Sequence, residues 1–200
     1  KGYGCYLSKS HSMDPQEVLA FWFAGNYTAW REAWFKKDPH FDAEINSRFS
    51  TWLEPARLGH LNDWHNTPES ALALTILLDQ FPRNIYRGTP RSFAYDSFAL
   101  QSAELALGRG FNQQMTTAQR MFLYLPFEHT EDLEKQNRSV DLFRQLPEDQ
   151  SGLRAHALQY ALLHHDIIKR FGRFPHRNAI LGRSSTPEEI EFLKEPNSSF

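Results

Sequence analysis

The chain has 200 residues, with 22 basic and 24 acidic side chains and a formal net charge of −2. This length suits one domain that buries a hydrophobic core without disulfide bonds or a structural metal. The interspersed charges exclude the basic stripe of a nucleic-acid-binding protein and the polybasic segment of a protein that binds anionic membranes.

Residues 1–12 are rich in Gly, Ser and Tyr and show no helical period. We interpret them as an expression tag or a flexible segment, with Met13 as the native initiator. Residues 13–200 are expected to form a single all-helical domain. Cys5, the only cysteine, lies in the excluded segment, so neither a disulfide framework nor a cysteine-based metal site is predicted.

The amino-acid composition predicts an all-α fold. Leu, Ala and Phe are plentiful, whereas Val18 and Val140 are the only valines. β-Branched residues favour strands, while Leu and Ala favour helices because they lose little rotamer freedom there. The longest apolar run, residues 71–78, is too short to span a bilayer, and a cytoplasmic location is expected.

Capping residues and apolar stripes predict the helices in chain order. Asp14 caps the first helix, and the stripe of the second covers residues 41–53 and ends near Pro55. The third, opened by Thr67, is apolar almost all round over residues 71–78 and is expected to be central. The fourth predicted helix covers residues 92–107, and the fifth begins at Thr116 or Thr117 and is interrupted by Pro126. The sixth covers residues 129–146 and the seventh residues 152–171. A capping box at Thr186 opens a short last helix.

Short connections between these helices favour antiparallel helical hairpins, arranged as a helical bundle or as a stack. Similar segments follow the third and seventh helices, namely Phe81-Pro82-Arg83-Asn84 and Phe174-Pro175-His176-Arg177-Asn178. They either end helices at a solvated rim or converge on an anion-binding pocket. The candidate binding residues are Asp79, Arg83, Asn84, His165, Arg173, His176, Arg177 and Asn178.

The predicted sixth helix carries a possible catalytic pair. His129 and Asp132 are three residues apart, which places both on the core-facing side of a helix. His129 is a candidate general base that Asp132 orients; the alternative is a satisfied structural network. On the seventh helix, His164 is expected to be a core histidine bonded to a backbone carbonyl.

Common motifs for cofactors are missing from the sequence. Metal binding is only weakly indicated, because the His-Glu-x-x-His spacing of a helical zinc site does not occur. There is no glycine-rich phosphate loop, no dinucleotide fingerprint and no Gly-x-Ser-x-Gly elbow. We therefore predict no metal and no cofactor.

Three segments form a distinctive set: Leu78-Asp79-Gln80-Phe81-Pro82-Arg83-Asn84, Tyr124-Leu125-Pro126-Phe127-Glu128-His129 through Asp132, and Arg170-Phe171-Gly172-Arg173-Phe174-Pro175-His176-Arg177-Asn178. Together they resemble the signatures of a bacterial family, the domain of unknown function 924, over about residues 14–193. The resemblance implies an all-α fold of the tetratricopeptide-like superfamily and carries no reaction with it. Glu128 departs from the resemblance, which implies a less charged residue before His129.

Three functions are compatible with these patterns. The preferred one is a module that binds an anionic small molecule or a peptide carboxylate in a pocket lined by Arg and His. The second is an enzyme that uses His129 and Asp132 on an anionic substrate. The third is a structural or oligomer-forming protein, suggested by the five tryptophans at positions 22, 30, 34, 52 and 64. No nucleic-acid or membrane partner is predicted, and the oligomeric state stays open.

Overall fold

The computed structural model describes residues 12–200, so the interpretation of residues 1–12 lies, apart from Ser12, outside the described residues. Within the described range the secondary structure is helical and contains no strand. The α-helices are α1 (Pro15–Phe23), α2 (Pro39–Phe49), α3 (Leu53–Arg57), α4 (Pro68–Asp79), α5 (Phe81–Ile85), α6 (Asp96–Gly108), α7 (Thr117–Glu128), α8 (Leu133–Arg144), α9 (Leu153–Phe171), α10 (Asn178–Leu181) and α11 (Pro187–Phe192).

The predicted helix starts are confirmed where a side chain caps the backbone. Asp14 accepts a hydrogen bond from the Gln16 backbone N–H at 2.9 Å and opens α1. Thr116 and Thr186 form capping boxes that open α7 and α11. These caps satisfy backbone donors that the first turn of a helix leaves free, so they act over only a few residues.

Helix α4 is the centre of the molecule, as its sequence predicts. Every residue from 70 to 79 is buried, and α4 packs against α1, α6 and α7. The rings of Trp22 and Phe81 pack beside it, with centroids 5.8 Å apart. Burial of this helix on all sides explains why its apolar residues show no single stripe.

Two proline expectations are wrong. The second predicted helix does not continue to Pro55: α2 ends at Phe49, a 3-10 turn follows, and Pro55 lies inside α3. Pro126 likewise does not interrupt α7, which continues to Glu128. A proline removes one backbone donor and crowds one carbonyl. In both places it lies within a few residues of a helix end, where buried neighbours hold the turn together.

The boundary between α7 and α8 also differs from the prediction. His129 is the C-terminal cap of α7, and α8 begins only at Leu133. Asp132 is the N-cap of α8, where its carboxylate accepts a hydrogen bond from the Lys135 backbone N–H at 2.9 Å. His129 and Asp132 therefore belong to different helices and do not share a helical face.

Of the helices in residues 12–200, none combines the length and the hydrophobicity that a bilayer crossing requires.

Candidate functional site

A cavity of approximately 590 Å³ opens between the end of α7, α5, α9 and the turn that precedes α10. We call it the central cavity. Its polar wall includes Gln80, Arg83, Asn84, Glu128, His129, His164, His176 and Arg177, together with Lys36 and Arg87. Aromatic side chains form much of the remaining wall, including those of Trp30, Phe35, Phe93, Tyr160 and Phe200.

The two Phe-Pro segments meet at this cavity. Arg83 and Asn84 come from the first segment, and His176 and Arg177 from the second. Arg177 also bonds the end of α7, because its Nη2 donates to the His129 backbone carbonyl at 3.0 Å. Residues far apart along the chain are thus assembled into one polar wall.

Asp79, a predicted binding residue that does not itself line the cavity, forms a pair with His129 behind the cavity wall. Asp79 is fully buried, and its Oδ1 lies 2.8 Å from Nδ1 of His129. Burial alone raises the pKa of the Asp79 carboxyl, but the charges of His129 and Arg83 and the hydrogen bonds from His129 and Gln80 outweigh burial and hold the pKa below its ordinary value. An ionised carboxylate only accepts hydrogen bonds, so Nδ1 of His129 carries a proton and donates a hydrogen bond to Asp79.

The carboxylate that orients His129 is therefore Asp79, and the expectation that Asp132 does so is wrong. Asp132 is occupied as the cap of α8. Asp79 precedes His129 by 50 positions. Only the packing of α4 against α7 brings Asp79 to His129.

Arg83 is held by carboxylates behind the cavity wall. Its guanidinium donates to both oxygens of Asp96, at 2.6 and 2.9 Å, and Nη1 also donates to the Asp79 carbonyl at 2.7 Å. Burial lowers the pKa of Arg83, but Asp96 and Asp79 outweigh it and raise the pKa above its ordinary value. The charge of Arg83 is thus compensated within the protein.

Arg177 is less well compensated. Its side chain is sandwiched between the rings of Phe93 and Phe174, with Cζ 4.4 and 4.6 Å from their centroids. The residue is only 7% exposed, and within residues 12–200 its buried Nε has no hydrogen-bond partner. Glu131 approaches Nη1 no closer than 3.6 Å. Burial, and then the charge of Arg83, lower the pKa of Arg177 to about 10.

His176 and His164 complete the polar wall. Burial, followed by the charge of Arg177, lowers the pKa of His176 to about 4, so its imidazole is neutral at pH 7. Its buried Nδ1 finds no partner within the described residues. Nδ1 of His164 lies 2.7 Å from the Tyr160 carbonyl, which confirms the predicted bond of a core histidine to the backbone.

Three predicted binding residues lie away from the cavity. Arg173 donates to both oxygens of Glu189, at 2.9 and 2.7 Å, and Asn178 donates to the same carboxylate at 3.1 Å. His165 is 2.8 Å from the side-chain oxygen of Asn137. Arg173 and Asn178 thus join the segment after α9 to α11, and His165 joins α9 to α8, so the prediction that these three residues line the pocket is wrong.

Sequence reasoning did not select two carboxylates of the site, Glu128 in the cavity wall and Asp96 behind it. Glu128 occupies the buried last turn of α7, and the expected interruption at Pro126 hid that turn. Asp96, the partner of Arg83, begins α6, and no local pattern links it to a residue of α5. Extending the predicted helix past Pro126 would have placed Glu128 in the last turn of α7.

The part of the chain that the structure describes contains no group of three or more His, Cys, Asp or Glu side chains arranged to hold a metal ion.

Comparison with known proteins gives a family and no activity. The family model described as a bacterial protein of unknown function, domain of unknown function 924, matches residues 18–197. A solved structure of a protein of unknown function from Agrobacterium tumefaciens is 41% identical, with a TM-score of 0.81 over 90% of this chain and 96% of that chain. A comparison with curated proteins finds no match. The chain belongs to the bacterial family designated domain of unknown function 924.

Proposed function

We propose that the central cavity binds a small organic anion and that Arg177 is its principal anchor. The observation that carries this proposal is the state of the Arg177 guanidinium. It is a buried cation whose Nε lacks a hydrogen-bond acceptor within residues 12–200, and its lowered pKa shows that the charge is poorly compensated. A bound carboxylate supplies both the acceptor and the opposite charge.

The rest of the cavity favours an anion with an apolar body. Its volume of approximately 590 Å³ lies in the range of small-molecule sites. The exposed ring of Trp30 stacks on Phe35 at 5.2 Å and contacts His156 at 4.8 Å at the cavity wall. An aromatic wall next to a buried guanidinium suits an aryl or alkyl carboxylate better than inorganic phosphate. A peptide carboxylate is a larger ligand of the same class.

We also infer a tetratricopeptide-like arrangement of helical hairpins as the scaffold of this binding module. Successive helices α7, α8 and α9 pack against each other in pairs and are joined by short connections, which supports this inference. The scaffold by itself does not imply peptide binding. A cytoplasmic location and the alternative role in oligomer formation stay predictions. Trp22, Trp34, Trp52 and Trp64 are buried within this chain, which weakens the oligomer alternative.

Replacing Arg177 tests the anion site directly. We expect the wild-type protein to bind 3-phenylpropionate and to bind its neutral amide, 3-phenylpropanamide, much more weakly. Arg177→Gln is expected to weaken carboxylate binding by about 10- to 100-fold, the range for loss of a charged hydrogen bond. Isothermal titration calorimetry at pH 7 measures both affinities.

Arg170→Gln is the matched control, because it also removes one arginine charge, but at the end of α9 and outside the cavity. Arg170 is exposed and pairs with Glu188 at 3.2 Å outside the cavity. Its substitution is expected to leave carboxylate binding unchanged. Arg177→Lys, which keeps the charge but loses Nε, separates loss of charge from loss of the hydrogen bond. Equal affinity for the acid and the amide, or equal loss in both glutamine variants, contradicts the proposal.

The Asp79–His129 pair supports a second candidate, a hydrolase that uses a general base. In its neutral form, with the proton on Nδ1 directed at Asp79 2.8 Å away, His129 is able to take a proton from water at Nε2. His129 also lies at the wall that contains Arg177, so a bound anionic substrate is close to this base.

Hydrolysis of the mono-4-nitrophenyl ester of succinate tests this candidate, since the ester keeps one carboxylate for Arg177. Turnover by the wild-type protein, and a fall of about 10²- to 10⁴-fold in His129→Gln, is the expected result for a lost general base. His165→Gln is the control, because His165 bonds Asn137 of α8 and does not line the cavity. Equal rates in the two variants remove the enzyme candidate and leave the binding function standing.

A further inference from the structure

We propose that the ligand of the central cavity carries an amino group as well as an acid, and that Glu128 receives the amino group. The ligand class is then an α-amino acid with an apolar side chain. This inference rests on the proposed anion site at Arg177 and deepens it.

Glu128 is a buried carboxylate with an unfilled acceptor position. It is only 2% exposed, and its Oε1 has no hydrogen-bond partner within residues 12–200. Glu128 lines the central cavity. A buried carboxylate without donors is costly to maintain, so an unfilled oxygen at a cavity wall points to a donor that arrives with a ligand.

His164 does not fill this position. Its Nδ1 lies 3.1 Å from Glu128 Oε1. However, the same nitrogen is 2.7 Å from the Tyr160 carbonyl, which can only accept a hydrogen bond. The single Nδ1 proton is therefore directed to the carbonyl, and Glu128 is left without it.

The other charges around the cavity are paired inside the protein. Arg83 is paired with Asp96, Arg87 with Asp42, and Lys36 with Glu32. Asp79, behind the wall, is paired with His129. Glu128 and Arg177 remain as opposite charges that each have an unfilled hydrogen-bonding atom. A ligand that fills both atoms carries one negative and one positive group, and it adds no net charge to the cavity.

The two groups adjoin the same turn at the end of α7. Arg177 donates to the carbonyl of His129 at 3.0 Å, and Glu128 is the residue directly before His129. Both side chains line the central cavity. A compact ligand that carries an amine and a carboxylate, such as an α-amino acid, supplies a complementary group to each.

Aromatic rings form and back the wall near these groups. Phe200 stacks on His164 with centroids 3.8 Å apart and an interplanar angle of 20°. The Phe174 ring contacts both His164, at 5.4 Å, and His176, at 5.7 Å. Aromatic probes are therefore the appropriate series for this cavity.

The test compares three probes with the same phenyl group: phenylalanine, 3-phenylpropionate and 2-phenylethylamine. Calorimetry at pH 7 is expected to give phenylalanine an affinity about tenfold or more above that of 3-phenylpropionate, because it gains one charged hydrogen bond. Glu128→Gln is expected to abolish this preference and to leave the affinity for 3-phenylpropionate nearly unchanged. Arg177→Gln is expected to weaken both acids and leave 2-phenylethylamine unaffected.

The outcomes separate the two proposals. Equal binding of phenylalanine and 3-phenylpropionate, with both dependent on Arg177, overturns the amino-acid assignment and leaves the anion site intact. Loss of the Arg177 dependence overturns the anion site and the assignment together. A preference for phenylalanine that survives in Glu128→Gln, or no binding of any probe, also overturns the assignment.

The thermal stability of Glu128→Gln is an independent measurement. Because the substitution removes a buried charge that lacks a donor, we expect the Tm to stay the same or rise. A fall in Tm of several degrees would show that Glu128 is satisfied within the fold, and the assignment to an amino group would then be wrong.

Discussion

Asp79→Ala is expected to lower the free energy of unfolding by about 3–5 kcal/mol, the cost of breaking a buried charge pair from one side. The substitution leaves Nδ1 of His129 and Nε2 of Gln80 without the carboxylate that accepts from them, at 2.8 and 2.6 Å. It also removes one of the two carboxylates near Arg83. Urea denaturation at pH 7, followed by far-UV circular dichroism, measures the change.

Asp132→Ala is the matched control, because Asp132 is the carboxylate that the sequence analysis paired with His129. As an N-cap of α8 it is expected to cost only about 1 kcal/mol. Asp79→Asn keeps the side-chain shape and isolates the loss of charge. If the alanine variants of Asp79 and Asp132 lose equal stability, the buried pair is not the anchor of His129.

Glu189→Ala is the second substitution with a large expected effect, again about 3–5 kcal/mol of unfolding free energy. The Glu189 carboxylate accepts from Arg173 at 2.9 and 2.7 Å and from Asn178 at 3.1 Å. It also closes the capping box of α11 by accepting from the Thr186 backbone N–H at 3.0 Å. Removing this carboxylate therefore breaks the contacts that hold the end of α9, α10 and α11 together.

The same carboxylate predicts a pH dependence. Hydrogen bonds from Arg173, which outweigh the effect of burial, lower the pKa of Glu189 from 4.5 to about 2. A lowered carboxyl pKa stabilises the folded state above the unfolded pKa, and this contribution is lost as pH falls from 4.5 towards 2. The Tm of the wild-type protein should fall over this range, and Glu189→Ala should flatten the part of the fall due to Glu189.

Glu188→Ala is the control for both measurements. Glu188 is the neighbouring residue on α11 but is exposed, and it forms only a surface pair with Arg170. Its substitution is expected to change the unfolding free energy by less than about 1 kcal/mol and to leave the acid profile intact. A large effect of Glu188→Ala, or a small one of Glu189→Ala, contradicts the structural role assigned to Glu189.

The anion-site and amino-group tests are best interpreted together with these stability measurements. Arg173 and Arg177 are four residues apart and chemically identical, yet one is tied to Glu189 and the other lines the cavity. A loss of binding in an Arg177 variant that keeps wild-type stability assigns the effect to the cavity. A loss of binding that accompanies a loss of stability assigns the effect to disturbed packing.

Sequence reasoning was reliable at several helix starts that depend on near neighbours. The starts of α1, α4 and α11 follow from caps that bond backbone groups within three residues. The length of α9 follows from an apolar period that one helix face imposes. It was less reliable at Pro55 and Pro126, because the cost of a proline near a helix end is offset by burial that no local pattern reports.

The sequence by itself determined that this protein is helical, that α4 is central, and that the two Phe-Pro segments are the places to look for a site. Only the tertiary structure decided which charges meet: His129 with Asp79, Arg83 with Asp96, and Arg173 with Glu189. The physical reason is that these interactions act over different distances along the chain. Helix caps and apolar periods act over a few residues, whereas a buried ion pair is selected by how helices pack across tens of residues.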